Sequence, residues 1–246
     1  MPYAKAILYR SGCLVELLVL DPGEPNGKIE IIGRLLSPVS AAEVGTIRCI
    51  GLNHALRQSL TCMHCTRKPA TARTVIPKHT LKDDSADYEA ELAIIIGKTC
   101  KDVSESEALG YVLGYTAANE VSSRVAQLSQ SQACYSKGFD GACPLGPVLV
   151  SAAVVPDPST FTIRGLKNGE LVQSSSLSDM VFNCAKLVSF VSQGTTLPAG
   201  TVIITGTPAG VGFGKKPPNC LYDGDEFVVE LWPHIGSLYS VFETEK

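Results

Sequence analysis

The chain has 246 residues, 45% of them hydrophobic and 18% charged, which is enough to form a large core. Its formal net charge is −3, with no block of five or six like charges, so the sequence does not predict a nucleic-acid-binding protein. No apolar run approaches the roughly 18 residues of a membrane-spanning helix.

The N-terminus and the cysteines indicate the compartment. The first 21 residues alternate in the manner of paired strands and contain Arg10 and Glu16, which is not typical of a signal peptide. The nine cysteines are odd in number and scattered along the chain. This pattern predicts reduced thiols rather than a secreted disulfide framework. We therefore expect a cytoplasmic protein.

Residues 1–48 predict a small N-terminal β domain. Short strands are expected at residues 5–10, 13–20 and 29–36, and the turn sequence DPGEPNGK separates the last two. From residue 49 strands are mixed with helices, so residues 49–246 are expected to form a second, larger domain. The segment GLNHALRQSL at its start is predicted to begin a helix with Asn53 as its N-cap.

The rest of the larger domain is rich in predicted strands. A polar stretch, residues 61–87, leads to a strand, residues 104–119 predict a short helix and a strand, and residues 121–133 predict a helix. A hairpin is expected around Asn168-Gly169, and a helix within residues 179–197 should stop near Gly194. Residues 200–214 predict a strand that runs into a glycine-rich loop, and residues 225–243 predict the closing strands. The fold class is therefore mixed α and β with much strand.

Two glutamates at the head of the most apolar strand point to a site. Glu89 and Glu91 precede the run Leu92 to Ile96, and because strand side chains alternate between faces, both carboxylates lie on one face. Taken alone, the pair is compatible with two ordinary surface glutamates. A third carboxylate, Glu120, stands where another predicted strand ends.

A hard divalent cation would resolve the repulsion among three carboxylates. With no His or Cys beside them, Mg²⁺ or Mn²⁺ fits better than Zn²⁺. Arg124 and Gln127 follow Glu120 at four and seven residues, which places them on one face of a helix. Lys137 and Thr207 lie in two glycine-containing segments that would allow a ligand close to the backbone, although each segment by itself is typical of a plain turn.

These segments together resemble the fumarylacetoacetate hydrolase family. The family motif DYExELAxxIGK is matched by DYEAELAIIIGK, and GYTxANDxSxRxxQ by GYTAANEVSSRVAQ. Next come KGFDGACPLGP, which is similar to KSFDGFCPLGP, and TLPAGTVIITGTPAGVG, which is similar to TLxPGDVIxTGTPAGVG. The likeness runs in the family's order from about Arg48 to Gly236, with motifs of the acylpyruvase and oxaloacetate decarboxylase-like branch.

The resemblance implies a strand-rich α+β fold, a mixed β-roll with surrounding helices and a small N-terminal β unit, assembled as a homodimer. It implies a divalent metal as the cofactor, with no organic cofactor, and a small 2-oxo acid or β-dicarbonyl acid as the substrate. The implied metal ligands are Glu89, Glu91 and Glu120. The implied catalytic residues are Lys137, Arg124 and Gln127. The implied substrate-binding residues are Thr207, Gly206 and Lys68.

The chain departs from the family pattern at two places. Glu120 stands where the family has Asp, which keeps the charge on a longer side chain. The hydrolytic members read GxNYxxHxxE where this chain reads GLNHALRQSL, so Arg57 and Leu60 replace the His and Glu that activate water. Arginine stays protonated and is a poor general base. His54, three residues earlier, could substitute only if the segment bends differently, and a lone histidine there is more often structural or exposed.

These departures rank the functional hypotheses. Decarboxylation and keto–enol isomerisation need an electron sink and proton handling but no hydroxide nucleophile, and Arg57 is suited to holding a second substrate carboxylate. We therefore expect an enolate-forming lyase or isomerase on an oxaloacetate-like acid. The alternatives are hydrolysis of a C–C bond in an acylpyruvate-like substrate and a catalytically degenerate member that only binds a metabolite.

The sequence CMHC at residues 62–65 raises a separate possibility. A C-x-x-C pair can be redox-active or half of a zinc site. A structural zinc site normally needs four ligands, and the chain has no second C-x-x-C pair. Reduced thiols are therefore the preferred interpretation.

Overall fold

The structure is a computed structural model. It describes residues 44, 46–51, 53–54, 73–78 and 85–246 with their side chains, and the backbone of the strands at residues 4–10, 13–20, 34–35 and 61–65. Arg57, Leu60 and Lys68 lie outside the described residues, as do the side chains of Cys62 and Cys65. The predictions made for these residues therefore remain predictions.

The described residues form sixteen strands. They are β1 Ala4–Arg10, β2 Cys13–Leu20, β3 Arg34–Leu35, β4 Ile47–Gly51, β5 Thr61–Cys65, β6 Arg73–Ile76, β7 Ala86–Asp87, β8 Ala90–Ile96, β9 Val112–Asn119, β10 Ser122–Ser123, β11 Leu145–Ser151, β12 Thr162–Lys167, β13 Glu170–Ser176, β14 Val202–Ile204, β15 Glu226–Trp232 and β16 Gly236–Thr244. The α-helices whose bounds fall within the described residues are α1 Arg124–Ser129 and α2 Cys184–Ser192, and short 3-10 turns include Ala133–Ser136 and Leu177–Asp179.

Two large sheets organise these strands. The first has the order β2-β1-β11-β9-β8-β14-β4-β5, with β3 paired to β1, and the second has the order β13-β12-β15-β16-β6. The short strands β7 and β10 form a separate pair beside them. Most neighbours are antiparallel, but β14 with β4 and β16 with β6 are parallel. The sheets are therefore mixed.

Strand β8 lies at the centre of the fold and is buried along its whole length. Leu92, Ile94 and Ile96 pack into the larger hydrophobic cluster. Ala93 and Ile95 pack into a smaller cluster on the other face. Burial on both faces explains why the sequence is a continuous apolar run rather than an alternating one.

The structure confirms the predicted strand-rich fold class and most of its elements. Asn168 and Gly169 have φ values of 49° and 79°, as a two-residue type I′ hairpin requires. Gly194 follows α2 with a φ of 65°, which satisfies the predicted helix stop. Of the third predicted strand, only residues 34–35 fall within the described structure.

The pairing of the N-terminal strands bears on the predicted domain organisation. Strand β1 pairs with β11, so the N-terminal strands extend the sheet that β8 and β9 belong to. The predicted boundary near residue 48 remains a prediction. No helix in the described part of the chain is both long enough and apolar enough to cross a bilayer.

The helix that Asn53 was predicted to cap lies outside the described residues, so its role as an N-cap remains a prediction; the described contacts of its side chain are long-range. Its Oδ1 accepts a hydrogen bond from the backbone N–H of Phe182 at 2.8 Å. Its Nδ2 donates to the carbonyls of Phe182 and Thr205, both at 3.0 Å. The side chain is fully buried because it joins three distant segments, a use that local capping patterns do not reveal.

Candidate active site

Three glutamates meet where β8 begins and β9 ends. The register pairs Ala90 with Asn119, and the backbone N–H of Glu120 donates to the carbonyl of Glu89 at 2.9 Å. Glu89, Glu91 and Glu120 are all buried, and each offers a carboxylate oxygen within 4.8 Å of the others. The predicted convergence of the three side chains is therefore what the strand pairing produces.

Lys137 holds two of these carboxylates. It follows the 3-10 turn Ala133–Ser136, and its Nζ donates to Glu89 Oε2 and to Glu120 Oε2, both at 2.7 Å. Burial by itself lowers the pKa of this lysine, but the charges of Glu120 and Glu89 outweigh burial and raise its pKa above the ordinary value. Lys137 is therefore a fixed ammonium in the site.

Arg124 is the second buried cation. Ser122 of β10 pairs with Asp87 of β7, which places the start of α1 beside Glu89. Arg124 Nε donates to Asp87 Oδ2 at 2.8 Å, and Arg124 Nη1 donates to Gln127 Oε1 at 2.9 Å. Arg124 Nη2 lies 2.7 Å from Glu89 Oε1, an ion pair outside hydrogen-bond geometry. The guanidinium therefore fixes one edge of Glu89.

Asp87 is a further residue of the site and was not among the predicted ones. Its carboxylate accepts hydrogen bonds from the backbone N–H groups of Tyr88 at 2.9 Å, Gly212 at 2.8 Å and Phe213 at 3.0 Å. A Cβ at Gly212 would lie 2.1 Å from the carbonyl oxygen of Asn219, so only glycine fits there. Asp87 thereby ties the glycine-rich loop to Arg124. Its position as the first residue of the DYE motif is the sequence feature that could have indicated this role.

Glu91 is the least satisfied member of the cluster. Strand β14 runs antiparallel to β8, and just beyond its end the backbone N–H of Gly206 donates to Glu91 Oε2 at 2.7 Å. Glu91 Oε1 is buried with no hydrogen-bond partner among the described residues. Burial, then the charges of Glu120 and Glu89, raise the pKa of Glu91 well above its ordinary value.

Gly206 has a φ of 94°, and a Cβ there would lie 3.1 Å from the Cβ of Asn53. A side chain at this position would be strained and crowded. The structure therefore shows Gly206 as the residue that carries a backbone donor to Glu91. Its predicted contact with substrate remains a prediction.

The composition of the cluster fits a hard divalent cation. Four carboxylates, Asp87 and the three glutamates, surround two fixed cations, Lys137 and Arg124, within the described part of the chain. Among the described residues the carboxylates, when ionised, therefore outnumber the cations by two, and such an excess is costly in a buried site without a counter-charge. The donors are all oxygen, as Mg²⁺ and Mn²⁺ prefer. Glu91 Oε1 is an open ligand atom.

Thr207 is held by Gln173, which the sequence analysis also missed. Gln173 Nε2 donates to Thr207 Oγ1 at 2.7 Å and to the carbonyl of Pro208 at 2.9 Å. Gln173 Oε1 accepts from the backbone N–H of Ala90 at 3.0 Å, and Thr207 Oγ1 donates to the carbonyl of Ala90 at 2.9 Å. The buried side-chain amide of Gln173 therefore joins the start of β8 to the loop that contains Thr207 and Pro208.

These residues surround one cleft of about 790 Å³. Seven of the predicted site residues line it, namely Glu89, Glu91, Glu120, Arg124, Gln127, Lys137 and Thr207. Its lining also has apolar side chains, among them Leu128, Val211 and Phe213. Arg57 and Lys68, predicted to bind substrate, lie outside the described residues. His54, which the sequence analysis regarded as more often structural or exposed, lines the same cleft.

Comparison with known proteins extends these observations. The chain is 40% identical over 229 residues to the caffeoylpyruvate hydrolase of Neonothopanus nambi, covering 87% of this chain and 73% of that protein. It is 38% identical over 204 residues to an oxaloacetate tautomerase of Bacillus subtilis, covering 78% and 67%. A mitochondrial oxaloacetate tautomerase of Xenopus laevis is 39% identical over 211 residues, covering 80% and 65%.

Solved structures show the same likeness along the whole chain. A fumarylacetoacetate hydrolase from Exiguobacterium antarcticum superposes with a TM-score of 0.84 at 29% identity, covering both chains completely. A 5-carboxymethyl-2-hydroxymuconate delta-isomerase from Mycobacterium smegmatis does so with a TM-score of 0.82 at 27% identity, again covering both chains completely. The family profile described as fumarylacetoacetate (FAA) hydrolase C-terminal matches residues 53–243. The chain therefore belongs to the fumarylacetoacetate hydrolase family of enzymes.

Proposed function

We propose that this chain is a divalent-metal-dependent enzyme that forms an enolate from a 2-oxo or β-dicarbonyl acid. The principal reaction would be keto–enol isomerisation or decarboxylation of an oxaloacetate-like substrate. The observation that carries the proposal is the buried cluster of Glu89, Glu91 and Glu120, which has excess negative charge and an open oxygen on Glu91. The two relatives named as oxaloacetate tautomerases support isomerisation.

The three glutamates would hold the cation, Mg²⁺ or Mn²⁺. When bound, the cation supplies Lewis-acid polarisation of the keto group and stabilises the negative charge that develops on its oxygen. Glu120 provides the longer arm where other members have aspartate, and Gly206 orients Glu91 through its backbone N–H. Arg124 keeps one edge of Glu89 fixed.

The chain's own residues then bind and orient the substrate. The Lys137 ammonium adds positive charge beside the carboxylates, which favours an anionic substrate and a developing enolate. Thr207, aligned by Gln173, would hold the substrate carboxylate. Gln127 lines the same cleft and is positioned by Arg124. Arg57 would hold a second carboxylate. We also expect a homodimer.

Purified protein with Mg²⁺ and oxaloacetate tests the proposal directly. Enolisation is followed by ultraviolet absorbance of the enol, and decarboxylation by release of CO₂. Glu91→Gln should lower the rate about 10³-fold, because a metal typically contributes several kcal/mol of charge stabilisation. Glu170→Gln, at an exposed strand position away from the cleft, is the control. Metal and oxalate binding without turnover of any 2-oxo acid would instead indicate the non-catalytic alternative.

Hydrolysis of acylpyruvates is a second candidate. It is favoured by the size of the cleft and by the apolar side chains of Leu128, Val211 and Phe213 in its lining, which would suit a larger acyl group than oxaloacetate carries. The 40% identical relative is named as a caffeoylpyruvate hydrolase. An acylpyruvate assayed beside oxaloacetate ranks the two reactions. Rapid acylpyruvate hydrolysis that Arg57→Ala leaves unchanged would put hydrolysis first.

A further inference from the structure

Asn119 connects the two strand ends that carry Glu89 and Glu120. It pairs with Ala90 at the end of the β8–β9 register and is fully buried. Its Oδ1 accepts a hydrogen bond from the backbone N–H of Glu89 at 3.0 Å. Asn119 does not belong to the described residues that line the cleft. Its side chain therefore acts on the backbone of Glu89 and not on a molecule in the cleft.

The Asn119 side chain takes the place of a backbone hydrogen bond. In a hydrogen-bonded antiparallel pair, the two opposite residues exchange both of their N–H to C=O bonds. The N–H of Glu120 donates to the carbonyl of Glu89 at 2.9 Å, but the carbonyl of Glu120 accepts from Ser122 Oγ at 3.0 Å instead. The N–H of Glu89 donates to Asn119 Oδ1. Both backbone groups of Glu89 are therefore fixed by the dipeptide Asn119-Glu120.

The carboxylates of Glu89 and Glu120 are also held at their far ends. Lys137 Nζ donates to one oxygen of each at 2.7 Å, and Arg124 Nη2 lies 2.7 Å from the other oxygen of Glu89. Backbone contacts thus fix where the two side chains begin, and buried cations fix where they end. The spacing between these two carboxylates is therefore set by the protein itself.

A fixed spacing of oxygen ligands favours a small cation. Mg²⁺ requires near-octahedral geometry with oxygen atoms at about 2.0–2.1 Å, whereas Ca²⁺ accepts irregular geometry at about 2.3–2.6 Å. Both ions prefer oxygen ligands, so the type of ligand does not distinguish them. The size and rigidity of the ligand set do.

We propose that Asn119 is a positioning residue that makes the carboxylate cluster selective for Mg²⁺ over Ca²⁺. This inference rests on the metal dependence in the proposed function. Asn119 acts through Glu89. Without the Asn119 oxygen, the N–H of Glu89 loses the acceptor that the described structure gives it, and the start of β8 is free to shift relative to Glu120. The cluster then adapts to the larger ion at the expense of the smaller one.

Calorimetric titration with Mg²⁺ and with Ca²⁺ tests this role in wild-type protein, Asn119→Leu and Asn119→Asp. Asn119→Leu keeps a similar volume but has no acceptor. Its affinity for Mg²⁺ should fall about 10- to 100-fold, the range found when groups that orient metal ligands are removed. Its affinity for Ca²⁺ should change by no more than about threefold, because Ca²⁺ tolerates a flexible ligand set.

Asn119→Asp should restore the wild-type ratio of the Mg²⁺ and Ca²⁺ affinities. It keeps an oxygen that can accept from the N–H of Glu89. Asn119 Nδ2 has no hydrogen-bond partner among the described residues, so its replacement removes no other bond found there. Burial favours the neutral form of the new carboxyl group, which leaves the charge of the cluster unchanged.

Ser192→Ala is the matched control for loss of a buried side chain that holds a backbone N–H. Ser192 Oγ accepts from the N–H of Val103 at 3.1 Å, and Ser192 is fully buried and outside the described lining of the cleft. The Tm should fall in Asn119→Leu and in Ser192→Ala, but only Asn119→Leu should change the affinity ratio. In the metal-free protein, NMR should show faster hydrogen exchange of the Glu89 amide in Asn119→Leu alone.

The outcomes separate this inference from the proposed function. Protein that binds Mg²⁺ but turns over no 2-oxo acid would contradict the proposed function, and the affinity ratio would still decide the role of Asn119. An unchanged ratio in Asn119→Leu, or an equal shift in Ser192→Ala, would overturn the role of Asn119 alone. Wild-type protein that binds Ca²⁺ as tightly as Mg²⁺ would also overturn it, and absence of binding of either ion would overturn both.

Discussion

Lys137 and Lys167 are both buried lysines that contact carboxylates, but their surroundings differ. Lys167 Nζ lies 3.0 Å from Asp225 Oδ2 and donates to Asn219 Oδ1 at 2.8 Å and to the carbonyl of Cys220 at 2.6 Å. Its three donors face three acceptors and one negative charge. Lys137 bridges two carboxylates while a third, Glu91, keeps an open oxygen.

The difference distinguishes a charge cluster that is balanced by its own side chains from one that could hold an added cation. The Lys167 cluster pins the loop before β15 to the end of β12, and it is balanced without any addition. Within the described part of the chain the Lys137 cluster has more carboxylates than cations in a buried place, which low-dielectric surroundings make unfavourable. A bound cation would supply the missing positive charge, as the proposed function requires.

Removal of Lys137 should have the largest effect. Lys137→Met leaves Glu89 and Glu120 facing each other, and loss of one partner of a buried ion pair typically costs about 3–5 kcal/mol of unfolding free energy. Turnover should also fall below detection. Added Mg²⁺ should recover part of the stability, measured by urea denaturation, because the cation replaces the lost charge. Recovery of the same size in Lys167→Met would contradict the contrast between the clusters.

Removal of Lys167 should destabilise without touching the site. Lys167→Met leaves Asp225 buried without its cation, so we expect a loss of roughly 3–5 kcal/mol. Metal affinity, measured by calorimetry at a temperature where the variant is folded, should stay within about twofold of wild type. A large loss of affinity would mean that the two clusters are coupled.

Removal of the hydrogen bonds that hold the loop with Thr207 and Pro208 should reduce kcat/KM by a smaller factor. Gln173→Met fills a similar volume but removes the hydrogen bonds to Thr207, Pro208 and Ala90. We expect kcat/KM to fall about 10- to 100-fold, the range found when groups that orient a site are removed. Thr207→Val in the same background should add little, because both changes affect one interaction. Fully additive losses would show that Gln173 acts elsewhere.

The unfolding free energy of the metal-free protein should depend on pH because the pKa of Glu91 is raised in the folded state. Because the folded state raises the pKa of Glu91, ionisation costs more in the folded than in the unfolded protein. Glu91 therefore lowers the unfolding free energy above its raised pKa, and this effect vanishes below the ordinary glutamate pKa. The unfolding free energy should fall as pH rises between these two values. Glu91→Gln should flatten this part of the profile, and Mg²⁺ should do the same in wild-type protein.

A modest effect is expected at the apolar side chains that line the cleft. Phe213→Ser should reduce kcat/KM for an acylpyruvate with a large acyl group by about 10-fold, which corresponds to lost burial of a few CH₂-sized groups. Activity on oxaloacetate should change little. Leu171→Ser, at an exposed position outside the cleft lining, is the control. Equal losses on both substrates would place Phe213 elsewhere in the mechanism.

Much of the site followed from local patterns. The alternation of side chains along β8 predicted that Glu89 and Glu91 share a face, and helical spacing placed Arg124 and Gln127 together. The hairpin at Asn168-Gly169 followed from turn chemistry. These features depend on residues close in sequence, where strand and helix geometry are strong constraints.

The missed features depend on long-range contacts. Gln173 lies on β13 of the second sheet, yet it bonds to the start of β8 and to Thr207. The hydrogen bonds of the Asn53 side chain to Phe182 and Thr205 had no signal in the local sequence either. His54 could not be assigned to the cleft because its position depends on the bridge to Met180. Such pairings are set by tertiary packing and leave no local periodicity.

Calorimetric titration of the metal-free protein with Mg²⁺ and Mn²⁺ measures whether Glu89, Glu91 and Glu120 hold a cation. We expect one site per chain in wild-type protein, an unchanged site in Glu170→Gln and no binding in Glu91→Gln, whose circular dichroism should remain that of the folded protein. Absence of binding by wild-type protein, or an undiminished site in Glu91→Gln, would contradict the proposed metal site.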